Sequence, residues 1–339
     1  MKRKVYIAIA VIATFPGLAS IELTAQTDNS CRIGYQYWFG DPLIPGATCT
    51  TVGPFLAVCT VASNHCTAIC WECLNGGASA AQPINLANGN TFITQVDITV
   101  PGLGGGLTLS RTWNSSWPYG EALSNGIFGG YWRSTYEENI SVDGDGLAKY
   151  SRGTGGIWTL GLVSPQWPLT YDLIAPVSGN TSLSYDGAYW TLAFKNGEKR
   201  IFDGPTGHLL SISDRNGNTT QLMYDSANRL TTVTDAAARH LYFAYANQSS
   251  NLVTGVSSDA GLAVGYTYDA QGRLTTVTKP DLTTVSFQYD SGGLILAVLD
   301  SDGKVLESHT YDAQRRGLTS SRAGGVDAVT ISYPALYLP

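Results

Sequence analysis

Tyr266–Asp290 reads "YTYDAQGRLTTVTKPDLTTVSFQYD", with a Tyr-Asp pair near its start and another at its end. Thr283, Val285, Phe287 and Tyr289 share one parity, and Thr284, Ser286, Gln288 and Asp290 share the other. Such alternation predicts a strand buried on one face. The cluster "DAQG" that follows Tyr268 is a turn, because Asp can bond the backbone ahead of it and Gly can take positive φ. A second strand, "RLTTVT", leads to another turn at Lys279-Pro280-Asp281. The stretch is therefore one β-hairpin unit. Leu274 and Val277 stand three apart within it, so this strand either bulges or is covered on both faces.

Followed outward, the aromatic that precedes the turn recurs at Phe202, Tyr224, Tyr245, Tyr268, Tyr289, Tyr311 and Tyr333, at spacings of 21 to 23 residues. Asp203, Asp225, Asp269, Asp290 and Asp312 follow five of them, and Ala246 and Pro334 mark two degenerate copies. A fixed period of this length marks a repeat array whose units bury their apolar faces only against one another. The simplest role for each pair is structural: the ring packs under the sheet while its hydroxyl reaches a polar partner, and the Asp shapes the turn.

"YDAQGRLTTVT" at 268–278 and "YDSANRLTTVT" at 224–234 resemble the YD repeats of the Rhs family, large bacterial proteins whose repeats build a spiralling β-sheet cocoon, with teneurins as animal relatives. The resemblance covers about 200–334. Upstream, "PINLANGNTFITQVDITVPGLGGGLTLSRTWNSS" (83–116) and "GIFGGYWRSTYEENISV" (126–142) are similar to the domain that commonly precedes the repeats in Rhs proteins. The residues that match are Arg111, Thr112, Trp113, Asn114 and Ser115, then Phe128, Gly129, Gly130, Tyr131 and Trp132, with the second Gly shifted by one. The alternation of Leu107, Leu109 and Arg111 among glycines independently reads as short strands.

The first 25 residues differ in kind. Lys2, Arg3 and Lys4 precede an apolar run to about Leu18, and small residues at Ala19-Ser20 or Ala25 offer cleavage sites, which reads as a secretory signal peptide. No other segment is apolar over 18 residues, so no membrane span is expected in the mature chain. Cys31, Cys49, Cys59, Cys66, Cys70 and Cys73 comprise all the cysteines and cluster before the repeats. In an exported chain an even cluster implies disulfides, here with 15 connectivities left open. A zinc site from His65, Cys66, Cys70 and Cys73 has the wrong spacing, so no metal is expected.

The chemistry implied is sparse. Of the four histidines, His65, His208, His240 and His309, two have an acidic residue close in sequence, Asp203 for His208 and Asp235 for His240, both in turns. Nucleophile elbows, phosphate loops and zinc-protease helices are missing from the sequence. A net charge of −6 and no basic stripe argue against nucleic acid. Eight tryptophans, among them Trp38, Trp71, Trp113, Trp117, Trp132, Trp158 and Trp167, pack between β layers or form sugar-stacking platforms.

The expected architecture is all-β: a signal peptide (1–25), a Cys-rich disulfide-bonded segment (26–78), a lead-in β domain with the first strands (79–199) and a curved, spiralling array of hairpin repeats (200–339). The expected function is a secreted, periplasmic or cell-surface scaffold without catalytic activity, metal or cofactor, either a stand-alone module or the N-terminal remnant of a longer Rhs protein. Its partners would be a surface glycan or another protein, the latter through the open C-terminal edge of the sheet. Two alternatives are a carbohydrate-binding module and a toxin-delivery component that lacks its own toxin. The chain has no Asp-Pro-x-Gly self-cleavage motif, so the resemblance is expected to carry over the scaffold rather than the toxin.

Overall fold

The computed structural model describes residues 31–38, 47–53, 56–63, 79–80, 84–85, 89–102, 105–116, 126–144, 146–175 and 181–333. Residues 1–25, read above as a signal peptide, and Cys66, Cys70, Cys73 and Pro334 lie outside them. Strands β1 (Cys31–Trp38), β2 (Ala47–Gly53) and β3 (Leu56–Ser63) form a small antiparallel sheet in the order β1-β3-β2, and its register sets Cys49 opposite Cys59. Strands β4 (Ser79–Ala80) and β5 (Ile84–Asn85) pair briefly. Strands β6 (Phe92–Val100), β7 (Leu107–Asn114) and β8 (Trp132–Ser134) make the sheet of the lead-in domain.

From Asn139 onward the chain is one antiparallel sheet of nineteen strands in sequence order, ending at Val329–Thr330. This all-β spiralling sheet therefore starts about sixty residues before the Tyr-Asp period does. It curls back on its first strand: Asn139 bridges His208, and the Ile140 amide donates to the Gly207 carbonyl at 3.0 Å.

Each repeat carries the same irregularity, and this resolves the question left by Leu274 and Val277. Thr267 pairs with Thr276 but Tyr268 pairs with Leu274, so Thr275 is an extra residue in the second strand. The strand bulges. The slip recurs opposite Phe202, Tyr224, Tyr245, Tyr289 and Tyr311. One inserted residue brings both Leu274 and Val277 into the core, and it adds twist at the same place in every unit, which curls the sheet.

The concave face is not hollow. The lead-in sheet lies against it, and buried residues from Ile93 to Val298 make one continuous apolar core. Along that face Trp113 meets Tyr311, Trp132 meets Phe287, Phe128 meets Tyr266 and Tyr136 meets Phe243, at ring-centroid distances of 4.8 to 6.5 Å. Polar ties extend the contact at both ends: the Gly317 amide donates to the Gly89 carbonyl at 2.8 Å, and Arg239 donates to the Pro101 carbonyl. A strut running from Gly89 to Pro101 thus spans the units from Gly317 back to Arg239.

Candidate functional site

Tyr224, Tyr245, Tyr268, Tyr289, Tyr311 and Tyr333 each donate a hydroxyl hydrogen bond of 2.7 to 2.8 Å to a carbonyl of the preceding unit, on Leu209, Leu230, Val253, Leu274, Ile295 and Gly317 respectively. Phe202 occupies the same place without a hydroxyl and is fully buried. Burial raises the tyrosine hydroxyls above their ordinary pKa, so they remain donors.

The acidic partner does what a turn residue should. Asp269 accepts the amides of Gln271 and Arg273 at 3.0 and 2.9 Å, while Gly272 takes φ +74°. Asp225 and Asp312 repeat the pattern. Asp290 accepts the Leu294 amide at 2.8 Å, and Asp203 holds Thr206 instead.

Sequence reading missed the third member of the unit. Arg229, Arg273 and Arg316 each pair with their Asp (225, 269 and 312) and lie over the tyrosine of the next unit (245, 289 and 333) at 4.0 to 5.2 Å. Arg273 also donates to the Asp290 carbonyl at 2.9 Å. Tyr-Asp-x-x-x-Arg is therefore a joint: the tyrosine reaches back one unit and the arginine forward one unit. The spacing was visible in the sequence, but a lone Arg in a turn carries no local sign of what it covers.

The residues singled out in the lead-in domain converge on the concave face. Arg111 is 0% exposed; it pairs with Asp97, with Nη2 at 2.9 Å, and donates to Gln95 at 3.2 Å. Its guanidinium carbon lies 4.7 Å from the ring of Trp132, 5.3 Å from Tyr266 and 5.6 Å from Phe128. Burial disfavours the Arg111 charge, but the Asp97 carboxylate outweighs that and holds its pKa above the ordinary value. Tyr266 donates to the same Asp97, and the Trp132 indole donates to Tyr289 at 3.3 Å. Gly129 has φ +93°, and a Cβ there would lie 2.6 Å from the Gly272 carbonyl oxygen, so only glycine fits. Asn114 bridges Asn90 and the Thr154 carbonyl. The group is a structural key between the two parts of the fold.

Histidine chemistry differs from the sequence pairing. Asp235 is committed to Arg239, and His240 instead bonds Asp259 through Nδ1 at 2.7 Å, with Tyr242 donating to the other Asp259 oxygen at 3.0 Å. Asp259 sits one turn further on, a contact set by strand register rather than by sequence proximity. His208 stacks on Tyr224 at 5.1 Å, and burial lowers its pKa. His309 is buried, 3.6 Å from Glu307. For Cys31, Cys49 and Cys59 the description stops at the strand backbone. Among the described residues no group of three His, Cys, Asp or Glu side chains is placed to hold a metal.

The RHS Repeat profile matches residues 202–240 and 249–284, and a domain of unknown function, DUF6531, matches 81–158. The chain is an Rhs-repeat protein. It is similar to the tRNA3(Ser)-specific nuclease WapA of Bacillus spizizenii and to the tRNA nuclease WapA of Bacillus subtilis, at 28% identity over 268 residues in each case. These alignments cover 71% of this chain and 11% of the relative, so the Rhs-repeat chain spans about a tenth of the length of those proteins. Among solved structures it is similar to TcdB2-TccC3-Cdc42, at 14% identity and a TM-score of 0.31, covering 68% of this chain and 14% of that one. TcdB2-TccC3 itself gives 16% and 0.27, covering 68% and 12%.

Proposed function

We propose that this Rhs-repeat protein is an exported, non-catalytic scaffold that acts through its outer surface and its last sheet edge. The observation that carries this reading is the filled concave face. Arg111, Trp113, Phe128 and Trp132 occupy it with side chains of the same chain, so the described part of the array wraps its own lead-in domain. Among the described residues the final strand, Val329–Thr330, pairs on one side with Thr319 and Ser320 of the preceding Gly317–Arg322 and has no strand on its other side, an edge that another strand can extend. The basic N-terminus followed by an apolar run supports export, and no helix among the described residues is long and apolar enough to cross a membrane. His240 and Asp259 form a partly exposed dyad joined by Tyr242.

A second reading, part of a toxin system, draws on the similarity to the WapA nucleases, whose shared region is a small fraction of their length. Light scattering on the purified, oxidised chain tests the scaffold reading. Dimers or larger assemblies that dissociate when proline replaces Thr330 in the last strand support it. A monomer that binds no second copy and degrades transfer RNA overturns it.

A further inference from the structure

Among the described side chains Trp113, Trp132, Trp158 and Trp190 are buried, whereas Trp167 is 66% exposed. A single exposed aromatic is ordinary, but this one is supported from beneath. Its ring lies 5.9 Å from Tyr185; Tyr185 stacks on Trp190 at 4.4 Å and 20°; Trp190 meets Tyr171 at 5.5 Å. The ladder runs from the surface into the core.

The turn beside it is equally fixed. Asp186 accepts the amides of Ala188 and Tyr189 at 2.9 and 2.7 Å, and Tyr185 donates to the Gly187 carbonyl at 3.0 Å. Gly187 has φ +96°, and a Cβ there would lie 3.4 Å from the Trp167 ring, so the turn backbone backs the indole. Pro165 and Pro168 restrict the loop on either side. The indole is thus a preorganised platform about one ring wide, bordered by exposed Gln166 and Asp186.

We propose that Trp167 is a stacking platform for a pyranose ring of a polysaccharide. A pyranose presents a face of C–H groups, which suits the negative face of an indole, and a rim of hydroxyls, which suits an amide and a carboxylate. A protein partner would need an apolar surface several times larger than one ring. Rigidity matters for a weak, single-ring contact because little conformational entropy is lost on binding. This inference goes beyond the scaffold reading and does not depend on it.

The test is native affinity electrophoresis of the full chain through gels containing glycol chitin, hydroxyethyl cellulose, xylan or galactomannan, with oligomeric state measured separately. At least one polysaccharide is expected to retard the protein. Trp167→Ala should weaken that interaction about tenfold or more, the loss of roughly one aromatic contact. Trp167→Tyr should keep most of it, and Tyr242→Ala, on another strand, should keep all of it. No retardation by any of the four, or equal retardation of Trp167→Ala, overturns the proposal. Should Trp167→Ala melt earlier than the parent, Gln166→Ala decides instead: weakened retardation upholds the site and unchanged retardation removes it. A change in oligomeric state without a change in retardation bears on the scaffold alone.

Discussion

Tyr266 donates its hydroxyl to Asp97 at 2.8 Å across 169 residues of sequence, and the same carboxylate neutralises the fully buried Arg111. One acidic side chain on the lead-in sheet therefore holds a cation of its own sheet and a tyrosine of the array. A buried ion pair contributes little net stability while both partners remain, but removal of one leaves a charge without compensation.

Asp97→Ala is accordingly expected to destabilise the protein by about 3–5 kcal/mol. Tyr266→Phe, which leaves the ion pair intact, should cost about 1 kcal/mol. Replacing the pair together, Asp97→Leu with Arg111→Met, should recover much of the Asp97→Ala loss, since an apolar core pair of similar volume needs no desolvation. Urea unfolding of the four proteins measures this. Equal stability of Asp97→Ala and the parent would remove the key from the account.

The inter-unit tyrosine bond gives a graded series. Tyr268→Phe leaves the Val253 carbonyl without its 2.7 Å donor and should cost about 1 kcal/mol. Tyr268→Ala also removes a largely buried ring and should cost about 3–5 kcal/mol. Phe202 shows that the ring without the hydroxyl is accommodated in the same frame. Chemical unfolding checks the ratio; a Phe variant as damaging as the Ala variant would mean that the hydroxyl, and not the packing, holds the units together.

Acid should weaken the array. At Asp269 and Asp312 burial alone would raise the pKa, but amide and guanidinium donors outweigh it; at Asp225 the Arg229 guanidinium leads. All three lie below the ordinary carboxylate value. A depressed folded pKa contributes stability that is complete above the unfolded value, about 3.9, and lost as pH falls through the folded one. Melting temperature should thus hold from pH 6 to about 4 and drop below it. Asp269→Asn should melt lower than the parent at pH 6 and converge with it in acid; a constant gap from pH 6 to 2 contradicts the assignment. Glu138 acts in the opposite sense. Burial raises its pKa against the pull of Arg200, so its share is present at low pH and lost as pH rises through that value.

The array was legible because its signals are local. A period near 22, alternation over Thr283–Tyr289 and Asp-Gly turns each fit within one unit, whereas the spacing of Leu274 and Val277 left a bulge and two-sided burial open until the register showed the bulge. What could not be read was whatever crosses units. Arg273 looks like a solvated turn residue until Tyr289 is placed beneath it. Asp97 has no motif around it, and its importance comes from Tyr266. His240 has Asp235 five residues away, yet the ladder delivers Asp259. Motif matching found Arg111, Phe128 and Trp132, but only the curl of the sheet shows that they fill its concave side.

Leu282 is where local sequence and local backbone disagree. It takes φ +67° at the tip of the turn closed by its amide on the Lys279 carbonyl at 2.9 Å, and it is 81% exposed. Gly217, Gly261 and Gly303 occupy the same place in other turns, each with positive φ. A left-handed leucine costs about 1–2 kcal/mol, and glycine's extra unfolded-state entropy costs about 0.5–1 kcal/mol. With almost no side-chain burial to lose, Leu282→Gly should stabilise the protein by about 0.5–1 kcal/mol. The reverse exchange, Gly303→Leu, should destabilise it by a similar amount. Thermal and urea midpoints of both variants decide this: a destabilised Leu282→Gly would mean that this leucine makes a stabilising contact worth more than its strain.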